Sequence, residues 1–397
     1  MKAYGSTRLD SLGSAIFAEV AQWRREAEER GVDVIDLGIG SPDLPPSPRV
    51  IEALADAVRN PQAYGYPGSE GTPEFRRAAA GWMHRRFGVT LDPQREVLAL
   101  MGSQDGLAHL AMALCDPGDT ALVPDPGYPI YAASLVLAGV QPVLMPLRES
   151  NGFLPHLESI PPETAEKASF LLLSYPGNPI PEAADRAFYE KALAFAERYD
   201  LLIVHDLAYS ELAYDGYKPM SILELEGAKK RAVEFHSLSK SFNMAGCRIA
   251  FLAGNAEAVG ALRRLKSNID YGVFLPVQQA AVVALEEETS FPSSISAVYE
   301  RRRDVLVDGL HRIGWHVPRP KATMFVWAKI PQGWTSRHIS REILERAGVA
   351  MIPGDAFGAE GEGYVRIALV QPEERLREAV SRIGEIWQSI SERERNT

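Results

Sequence analysis

Short apolar segments alternate with helix-like segments through the middle of the chain, and this alternation limits the fold more than any other feature of the sequence. The apolar segments are nearly continuous, which is typical of strands buried on both faces of a mostly parallel sheet. We predict seven such strands, at residues 97–101, 121–124, 141–146, 170–175, 201–205, 233–236 and 249–253. Helices are predicted at residues 105–114, 130–137, 186–199 and 259–266. The alternation therefore predicts a three-layer α/β/α domain.

The pattern changes near residue 290. A predicted helix at 278–288 is followed by a long one at 295–313, whose apolar residues fall close to one face. Beyond it we predict a strand at 324–330 and helices at 336–347 and 373–390, which together indicate a separate α+β lobe. Near the start, residues 18–30 form a charged amphipathic helix, which we expect to pack on this smaller lobe with its charged face in solvent.

Length and charge exclude several classes of protein. The chain has 397 residues, which suits two domains with a large core, and a formal net charge of −10, which argues against nucleic acid as the main partner. The two cysteines, Cys115 and Cys247, make no disulfide framework and fit a reduced compartment. No apolar run is long enough to span a membrane, and residues 1–11 contain no signal-peptide core. We expect a cytoplasmic protein.

A set of polar residues follows the predicted strands of the large domain. Lys240 lies in a serine-rich turn directly after one strand, and Arg248 comes eight positions later. Asp206 ends another strand, Tyr209 follows it, and Asn178 lies further upstream. A lysine amine, a carboxylate and a phosphate-binding arginine are what a protein needs to hold pyridoxal phosphate as a Schiff base. One lysine alone would more often be a surface charge, so the ordered set carries the prediction of this cofactor.

The same series resembles the active site of the class I pyridoxal-phosphate aminotransferases, through Asn178, Asp206, Tyr209, Ser237, Ser239, Lys240, Arg248 and Arg366. The similarity runs from residues 37–43 to residues 364–368, and segments 205–211 and 215–219 look most like the LL-diaminopimelate, alanine and methionine-salvage branch. The resemblance implies fold type I, with a large cofactor-binding domain at 47–290. Residues 1–46 and 291–397 would then form an N-terminal arm and a small domain.

The resemblance implies a role for each residue around the pyridoxal ring. Lys240 would be both the covalent anchor and the acid–base group, and Asp206 would hold the pyridine nitrogen protonated. Tyr209 and Asn178 would donate hydrogen bonds to the ring oxygen, and the aromatic face of Tyr128 would stack on the ring. Taken singly, Asp206 would more often be a helix N-cap, and each of the tyrosines a residue that packs in the core.

The phosphate would need backbone amides at a helix start and a cation. Ser103 and Gln104 open a predicted helix after a strand, and the resemblance adds Ser237, Ser239 and Arg248 to the phosphate site.

Tyr66 matches a tyrosine that reaches the phosphate of the neighbouring subunit, with Tyr64 as the competing candidate. This match implies a homodimer with shared active sites.

Arg366 would bind the substrate α-carboxylate with its planar fork, and the backbone amide of Gly40, together with Asn178, would assist it. An ordinary surface ion pair is the alternative for an arginine at the end of a strand. The sequence shows no second arginine for a distal carboxylate. Segment 268–272 and the arm around Ile16 and Phe17 are predicted to shape the side-chain pocket.

Two positions depart from the family pattern. Asn178 is followed by Pro179-Ile180-Pro181 where the family usually has Pro-Thr-Gly, and Pro181 restricts this loop. Cys247 stands where a tryptophan is common. Neither change removes a reacting group.

The sequence therefore predicts an aminotransferase that moves an amino group from an L-amino acid to 2-oxoglutarate or pyruvate. The resemblance favours LL-diaminopimelate as the donor. We expect no metal site. An alanine or methionine-type aminotransferase, or a related pyridoxal enzyme such as a β-lyase or a carbon–carbon bond-forming synthase, would use the same cofactor cradle. A ligand-sensing regulator would need a basic DNA-binding region, which this sequence lacks. A catalytically dead binding protein is disfavoured because the expected reacting residues are present.

Overall fold

The computed structural model describes residues 4–12 and 15–391. Twelve strands are found there: β1 Ile35–Asp36, β2 Val97–Leu100, β3 Thr120–Asp125, β4 Gln141–Pro146, β5 Ala168–Leu173, β6 Leu202–Asp206, β7 Ala232–Ser237, β8 Ala250–Gly254, β9 Phe325–Lys329, β10 Val349–Ala350, β11 Ile352–Pro353 and β12 Tyr364–Ala368. The described helices are α1 Ala15–Glu29, α2 Pro48–Ala57, α3 Pro73–Phe87, α4 Ser103–Leu114, α5 Ile130–Ala138, α6 Pro162–Ala165, α7 Arg186–Tyr199, α8 Leu238–Ser241, α9 Ala256–Lys266, α10 Leu275–Glu286, α11 Phe291–Arg312, α12 Ser336–Ala347 and α13 Glu373–Ser391. Over the described residues, no helix combines the length and apolarity that crossing a membrane requires.

A seven-stranded sheet forms the centre of the larger part of the molecule, in the order β2-β8-β7-β6-β5-β3-β4. The strands are parallel except for β8, which runs antiparallel to both of its neighbours. One face of the sheet packs against α3, α7 and α10, and the other against α4, α5 and α9. The predicted three-layer architecture with a mostly parallel sheet is therefore confirmed.

The prediction that all seven strands are buried on both faces is wrong for β4. This strand lies at the edge of the sheet, and Gln141, Pro142, Leu144 and Pro146 are exposed. Val143 and Met145 alone face inwards, because an edge strand has a neighbour on one side only. Apolar residues on an exposed edge strand read in the sequence like those of a central strand.

The C-terminal part of the chain forms a three-stranded antiparallel sheet, β11-β12-β9, covered by α11, α12 and α13. The short strand β1 pairs in parallel with β10, with Ile35 opposite Val349, so the chain before the large domain joins this smaller layer. The domain boundaries at 46/47 and 290/291 stay predictions. Residues 1–3, 13–14 and 392–397 of the predicted small domain lie outside the described residues.

The parallel strands determine where polar residues gather. Asp206 is the last residue of β6 and Ser237 the last of β7, and α4 begins just after β2. Carboxyl ends of neighbouring parallel strands open at the same edge of a sheet, where ligands bind in open α/β folds. The small sheet and helix α1 face this edge across a cavity.

Candidate active site

A cavity of about 570 Å³ lies between the carboxyl edge of the central sheet, the small sheet and α1. All but one of the residues predicted to bind the cofactor or the substrate α-carboxylate line this cavity, although they come from distant parts of the chain. They are Gly40, Ser103, Gln104, Tyr128, Asn178, Asp206, Tyr209, Ser237, Ser239, Lys240, Arg248 and Arg366. The exception is Tyr66.

Lys240 projects into the cavity from α8, the short helix that follows β7. Ser237 caps this helix, since its hydroxyl accepts a hydrogen bond from the Ser239 N–H at 3.3 Å. The Lys240 ammonium donates to the Gly40 carbonyl at 2.6 Å. Burial, with the positive charges of Arg366 and Arg248, lowers the pKa of Lys240 from 10.5 to about 8. An amine with this pKa is partly neutral near physiological pH and can act as a nucleophile.

Asp206 is buried at the floor of the cavity. The Tyr131 hydroxyl donates to its Oδ2 at 2.7 Å, whereas its Oδ1 has no hydrogen-bond partner among the described residues. Burial raises the pKa of Asp206, and the Tyr131 hydrogen bond opposes this effect only in part. A buried carboxylate oxygen without a donor is costly unless a ligand supplies one. A protonated ring nitrogen is a donor that fits this position.

Arg366 is held between aromatic rings at the boundary with the small sheet. Its guanidinium carbon lies 4.3 Å from the centroid of Phe325 and 4.8 Å from that of Phe357. One terminal nitrogen donates to Asn178 Oδ1 at 2.8 Å and the other to the Gly38 carbonyl at 2.6 Å. Burial lowers the pKa of Arg366 to about 10, so the group stays charged at neutral pH. A cation preorganised in this way is suited to a carboxylate.

Gly40 lies against the side chains that hold Arg366. A Cβ added at Gly40 would lie 2.9 Å from Phe325 Cζ and 3.8 Å from an Arg366 terminal nitrogen. Phe325 is the ring against which Arg366 stacks, so a side chain at position 40 would disturb the orientation of the guanidinium.

A second cationic group, the guanidinium of Arg248, lies beside the start of α4. Gly102, the residue before Ser103, has a φ of +82°, and a Cβ there would come within 2.2 Å of an Arg248 terminal nitrogen. Arg248 itself has a positive φ of 53° and donates to the Ala245 carbonyl at 3.0 Å. The N-terminus of α4, the Ser103, Ser237 and Ser239 hydroxyls and this guanidinium all line the cavity, and groups of these kinds are suited to a phosphate.

The two cavity tyrosines hold different positions. The Tyr128 hydroxyl donates to Gln104 Oε1 at 2.8 Å, which fixes its ring above the start of α4. Tyr209 is buried with its ring edge-on to Phe325, and the Lys240 nitrogen lies 6.0 Å from its centroid. Burial raises the pKa of both phenols, so both stay protonated and able to donate.

Tyr66 does not reach the cavity of its own chain. Its side chain is 86% exposed and its ring packs on Tyr271, with centroids 4.8 Å apart. The predicted side-chain segment 268–272 is likewise absent from the lining, and of the predicted arm residues Phe17 lines the cavity whereas Ile16 does not. His205, next to Asp206, is fully buried.

Sequence reasoning missed three polar residues of the cavity. Tyr131, the hydrogen-bond partner of Asp206, lies three residues after the predicted Tyr128, but nothing in the sequence pairs it with a residue at the end of β6. Arg24 of α1 and Asp36 of β1 also line the cavity and form an ion pair. The spacing of Phe17, Ala21 and Arg24 on one face of α1 was the available signal.

The two departures from the family pattern have little effect on the cavity. Ile180 is buried in an apolar cluster with Trp327 and Phe357, and its carbonyl accepts a hydrogen bond from Gly177, while Asn178 still contacts Arg366. Cys247 is half-buried, and burial raises the pKa of its thiol. That thiol is therefore protonated and weakly nucleophilic at neutral pH.

Comparison with known proteins places the chain among enzymes of one family. The model of the family described as aminotransferase class I and II matches residues 32–383. An LL-diaminopimelate aminotransferase of Moorella thermoacetica is 46% identical over 379 residues, which is 96% of this chain and 97% of that protein. The enzyme of the same name from Desulforudis audaxviator is 48% identical over 376 residues, covering 95% and 96%.

Solved structures agree with the fold. The substrate-bound structure of BacF from Bacillus subtilis matches with a TM-score of 0.93 and 40% identity, covering 97% of this chain and 98% of that chain. A probable N-succinyldiaminopimelate aminotransferase from Thermus thermophilus matches with a TM-score of 0.89 and 42% identity, covering 93% and 99%. The predicted resemblance in fold and family is confirmed.

Proposed function

The chain belongs to the class I and II aminotransferases and is a transaminase, and on that premise we propose that it uses pyridoxal phosphate to move the amino group of LL-diaminopimelate to a 2-oxo acid. One observation carries the reaction type: Lys240, Asp206 and Arg366 line the same cavity. The substrate rests on the names of the similar enzymes.

The residues of the cavity fit the cofactor. The unpaired Oδ1 of Asp206 suits the ring nitrogen, and the corner formed by Ser103, Ser237 and Arg248 suits the phosphate. Tyr128 suits a ring-stacking position, and Tyr209 suits a hydrogen bond to the ring oxygen. When bound, pyridoxal phosphate supplies an electron-accepting ring that stabilises negative charge on the substrate Cα.

The protein groups then perform two tasks. Arg366 binds the α-carboxylate through its planar fork, exchanging its present hydrogen bond with the Gly38 carbonyl for one with substrate. This contact orients the substrate so that its Cα–H points to Lys240. The Lys240 amine removes that proton, and its pKa of about 8 is close to the pH at which a general base works best.

The buried setting of these groups strengthens both tasks. Arg366 and Asp206 are nearly removed from solvent, so each keeps a fixed orientation and a strong field. We propose that substrate binding closes the small sheet and α1 over the cavity and excludes water from Lys240.

We propose that the working enzyme is a homodimer in which each subunit completes the active site of the other. Tyr66 supports this proposal, because it lies outside the cavity of its own chain with 86% of its side chain exposed. We also place the enzyme in the cytoplasm. In support, Cys115 and Cys247 are both free thiols.

The purified protein tests the function directly. Its visible spectrum is recorded with added pyridoxal phosphate, and single donors (LL-diaminopimelate, alanine, methionine, glutamate and aspartate) are then titrated. We expect the cofactor band to convert to the amino form fastest with LL-diaminopimelate, with release of the matching 2-oxo acid, and 2-oxoglutarate or pyruvate to restore the band. The Lys240→Ala variant, the control, should show no turnover.

Each other outcome points elsewhere. Faster conversion with alanine or methionine would move the substrate to that branch and leave transamination intact. A band that changes without release of a 2-oxo acid would indicate a different pyridoxal reaction, and a protein that binds no cofactor would refute the proposal.

A further inference from the structure

An ion pair lies in the cavity beyond the groups that the proposed reaction uses. Arg24 of α1 donates a hydrogen bond to Oδ2 of Asp36 in β1, and both side chains line the cavity. Their exposed fractions are 29% and 18%, so the pair is accessible from the cavity but partly shielded from bulk solvent. A pair in such a setting interacts more strongly with a charged ligand than a surface pair does.

Helix α1 forms one wall of the cavity. Phe17, Val20, Ala21 and Arg24 all line it, and residues spaced three or four apart lie on one face of a helix. The wall is apolar near Phe17 and charged at Arg24. A substrate side chain lying along this face would therefore pass over apolar surface before its far end meets a charge.

Arg24 retains donors for a ligand. Asp36 uses one terminal nitrogen, and Nε is buried 3.6 Å from the Glu28 carboxylate. The second terminal nitrogen makes no hydrogen bond among the described residues and is the group that a ligand can reach. A guanidinium has five N–H donors in a fixed fork, so this one can hold Asp36 and a second carboxylate together.

The pair is connected to the proposed carboxylate clamp by one residue. Oδ1 of Asp36 accepts a hydrogen bond from the Gly38 N–H at 2.8 Å, and the Gly38 carbonyl accepts one from Arg366 at 2.6 Å. The Asp36 charge also acts on Arg366, where it raises the pKa against the larger effect of burial. When Arg366 holds the α-carboxylate of an amino acid, the Arg24 and Asp36 charges therefore lie in the same cavity as the substrate side chain.

We propose that Arg24 and Asp36 read the distal end of the amino donor, with Arg24 binding a distal carboxylate and Asp36 a distal ammonium. The adjacent positive and negative charges are complementary to a zwitterionic amino-acid head, which both ends of diaminopimelate carry. This inference rests on the proposed function, since it identifies the substrate class of the same cavity. The second arginine that the sequence does not reveal is thus Arg24.

Chain-matched donors test the pair. LL-diaminopimelate carries both distal charges, L-2-aminopimelate only the carboxylate, and L-2-aminoheptanoate neither. Loss of a charge-assisted hydrogen bond should lower kcat/KM about 10- to 100-fold. We expect Arg24→Gln to show this loss with the first two donors and to leave 2-aminoheptanoate within about threefold of wild type.

Asp36→Asn tests the negative charge of the pair separately from the positive one. We expect it to lower kcat/KM about tenfold for LL-diaminopimelate and not for L-2-aminopimelate, which has no distal ammonium. Arg24→Lys keeps a charge without the fork and should retain more activity than Arg24→Gln on the first two donors. Arg25→Gln, the same change at an exposed position of the same helix, is the control and should leave the three ratios unchanged.

Two outcomes would overturn the assignment. If Arg24→Gln and Arg24→Lys lower kcat/KM equally for all three donors, the pair only ties α1 to β1. If neither variant changes any donor, the pair does not contact substrate. Both results presuppose a wild-type enzyme that transaminates these donors, whereas a wild type that transaminates none of them refutes the proposed function instead.

Discussion

The surroundings of Lys240 favour its neutral form over its protonated form. Burial and the nearby Arg366 and Arg248 lower its pKa to about 8, while Asp206 acts in the other direction and more weakly. Those cations serve the two anionic groups of the proposed complex, phosphate and carboxylate. Their placement thus makes the lysine nucleophilic before either ligand arrives.

This arrangement predicts the pH dependence of cofactor attachment. Only the neutral amine attacks, so the rate of covalent attachment of pyridoxal phosphate to apoprotein should rise about tenfold per pH unit below the pKa and level off above about 8. Stopped-flow absorbance across neutral and alkaline pH measures it. Arg366→Met removes a nearby positive charge, so its profile should shift to higher pH. A wild-type midpoint near 10.5, the ordinary lysine value, would contradict the argument.

Gly102 leaves space for the guanidinium of Arg248 at the proposed phosphate site. An alanine there would have a positive φ and a Cβ 2.2 Å from Arg248, so we expect Gly102→Ala to weaken cofactor binding about tenfold or more. The strained backbone, with a ψ of 155° at this positive φ, should also cost about 1 to 3 kcal/mol of stability. Fluorescence titration with pyridoxal phosphate and urea unfolding measure the two effects.

Gly88 provides a matched control for this substitution. It also has a positive φ, of 71°, but a Cβ there would meet nothing within 4 Å. Gly88 has a ψ of 8°, a left-handed conformation that alanine adopts at lower cost than the conformation of Gly102, where ψ is 155°. Gly88→Ala should therefore lose less stability than Gly102→Ala and bind the cofactor normally. Equal cofactor affinity in the two variants would show that Gly102 is needed only for its backbone conformation.

Most of the cavity residues that the sequence predicted lie at the end of a strand or in the segment that follows it, where the chain order makes them recognisable. Asp206 and Lys240 are of this kind. Arg24 lies inside α1 and Tyr131 at the start of α5, and each acquires its partner only when distant elements pack together. Local patterns contain no information on such pairing.

At the scale of elements, the seven strands of the central sheet were predicted, whereas the helices α2 and α3 that precede them were not. In α3, the buried Arg76, which Glu70 contacts at 3.1 Å, interrupts a face that is otherwise apolar. The antiparallel direction of β8 was likewise beyond sequence reasoning, since strand direction follows from the connections and not from the residues of the strand.

A buried lysine joins two elements beside the active site. Lys266, at the end of α9, is fully buried and donates to Asp105 in the first turn of α4 and to Asp270, both at 2.8 Å. Asp105 also accepts the Met101 N–H, which fixes the turn that leads into α4. This contact holds the proposed phosphate corner in register with segment 268–272.

Removal of this lysine should destabilise the protein. Lys266→Met leaves two nearly buried carboxylates without their cation, so we expect a loss of about 3 kcal/mol in the free energy of unfolding, measured with urea. Lys191→Met, on the exposed face of α7, is the control and should change it by less than about 0.5 kcal/mol. If the two variants unfold alike, water or rearranged side chains compensate the aspartates.

At the scale of the whole molecule, exposed aromatic residues gather on one region of the surface. Tyr66 packs on Tyr271, and Tyr64 packs on Phe274 with centroids 5.6 Å apart. All four side chains are at least 40% exposed. A surface of this kind is typical of a protein interface, and it supports the proposed dimer.

Of the two competing tyrosines, the structure favours Tyr66 as the residue that crosses to the neighbour. The Tyr64 hydroxyl already donates to the Val58 carbonyl of its own chain at 2.8 Å. The more exposed Tyr66 has a hydroxyl with no hydrogen bond among the described residues. We therefore expect Tyr66→Ala to weaken cofactor binding and Tyr64→Ala to leave it unchanged, as titration with pyridoxal phosphate would show.

Shared sites predict that two impaired variants complement each other. In a dimer of Lys240→Ala with Tyr66→Ala, one site has both changes and the other has neither, so an equal mixture after subunit exchange should regain about a quarter of wild-type activity. The assay uses a cofactor concentration that saturates wild type and leaves Tyr66→Ala mostly empty. Mixing Lys240→Ala with Tyr64→Ala should give no such gain over the sum of the separate activities. If the Tyr66 mixture also stays at that sum, each chain forms its active site alone, and the exposed aromatic surface serves association only.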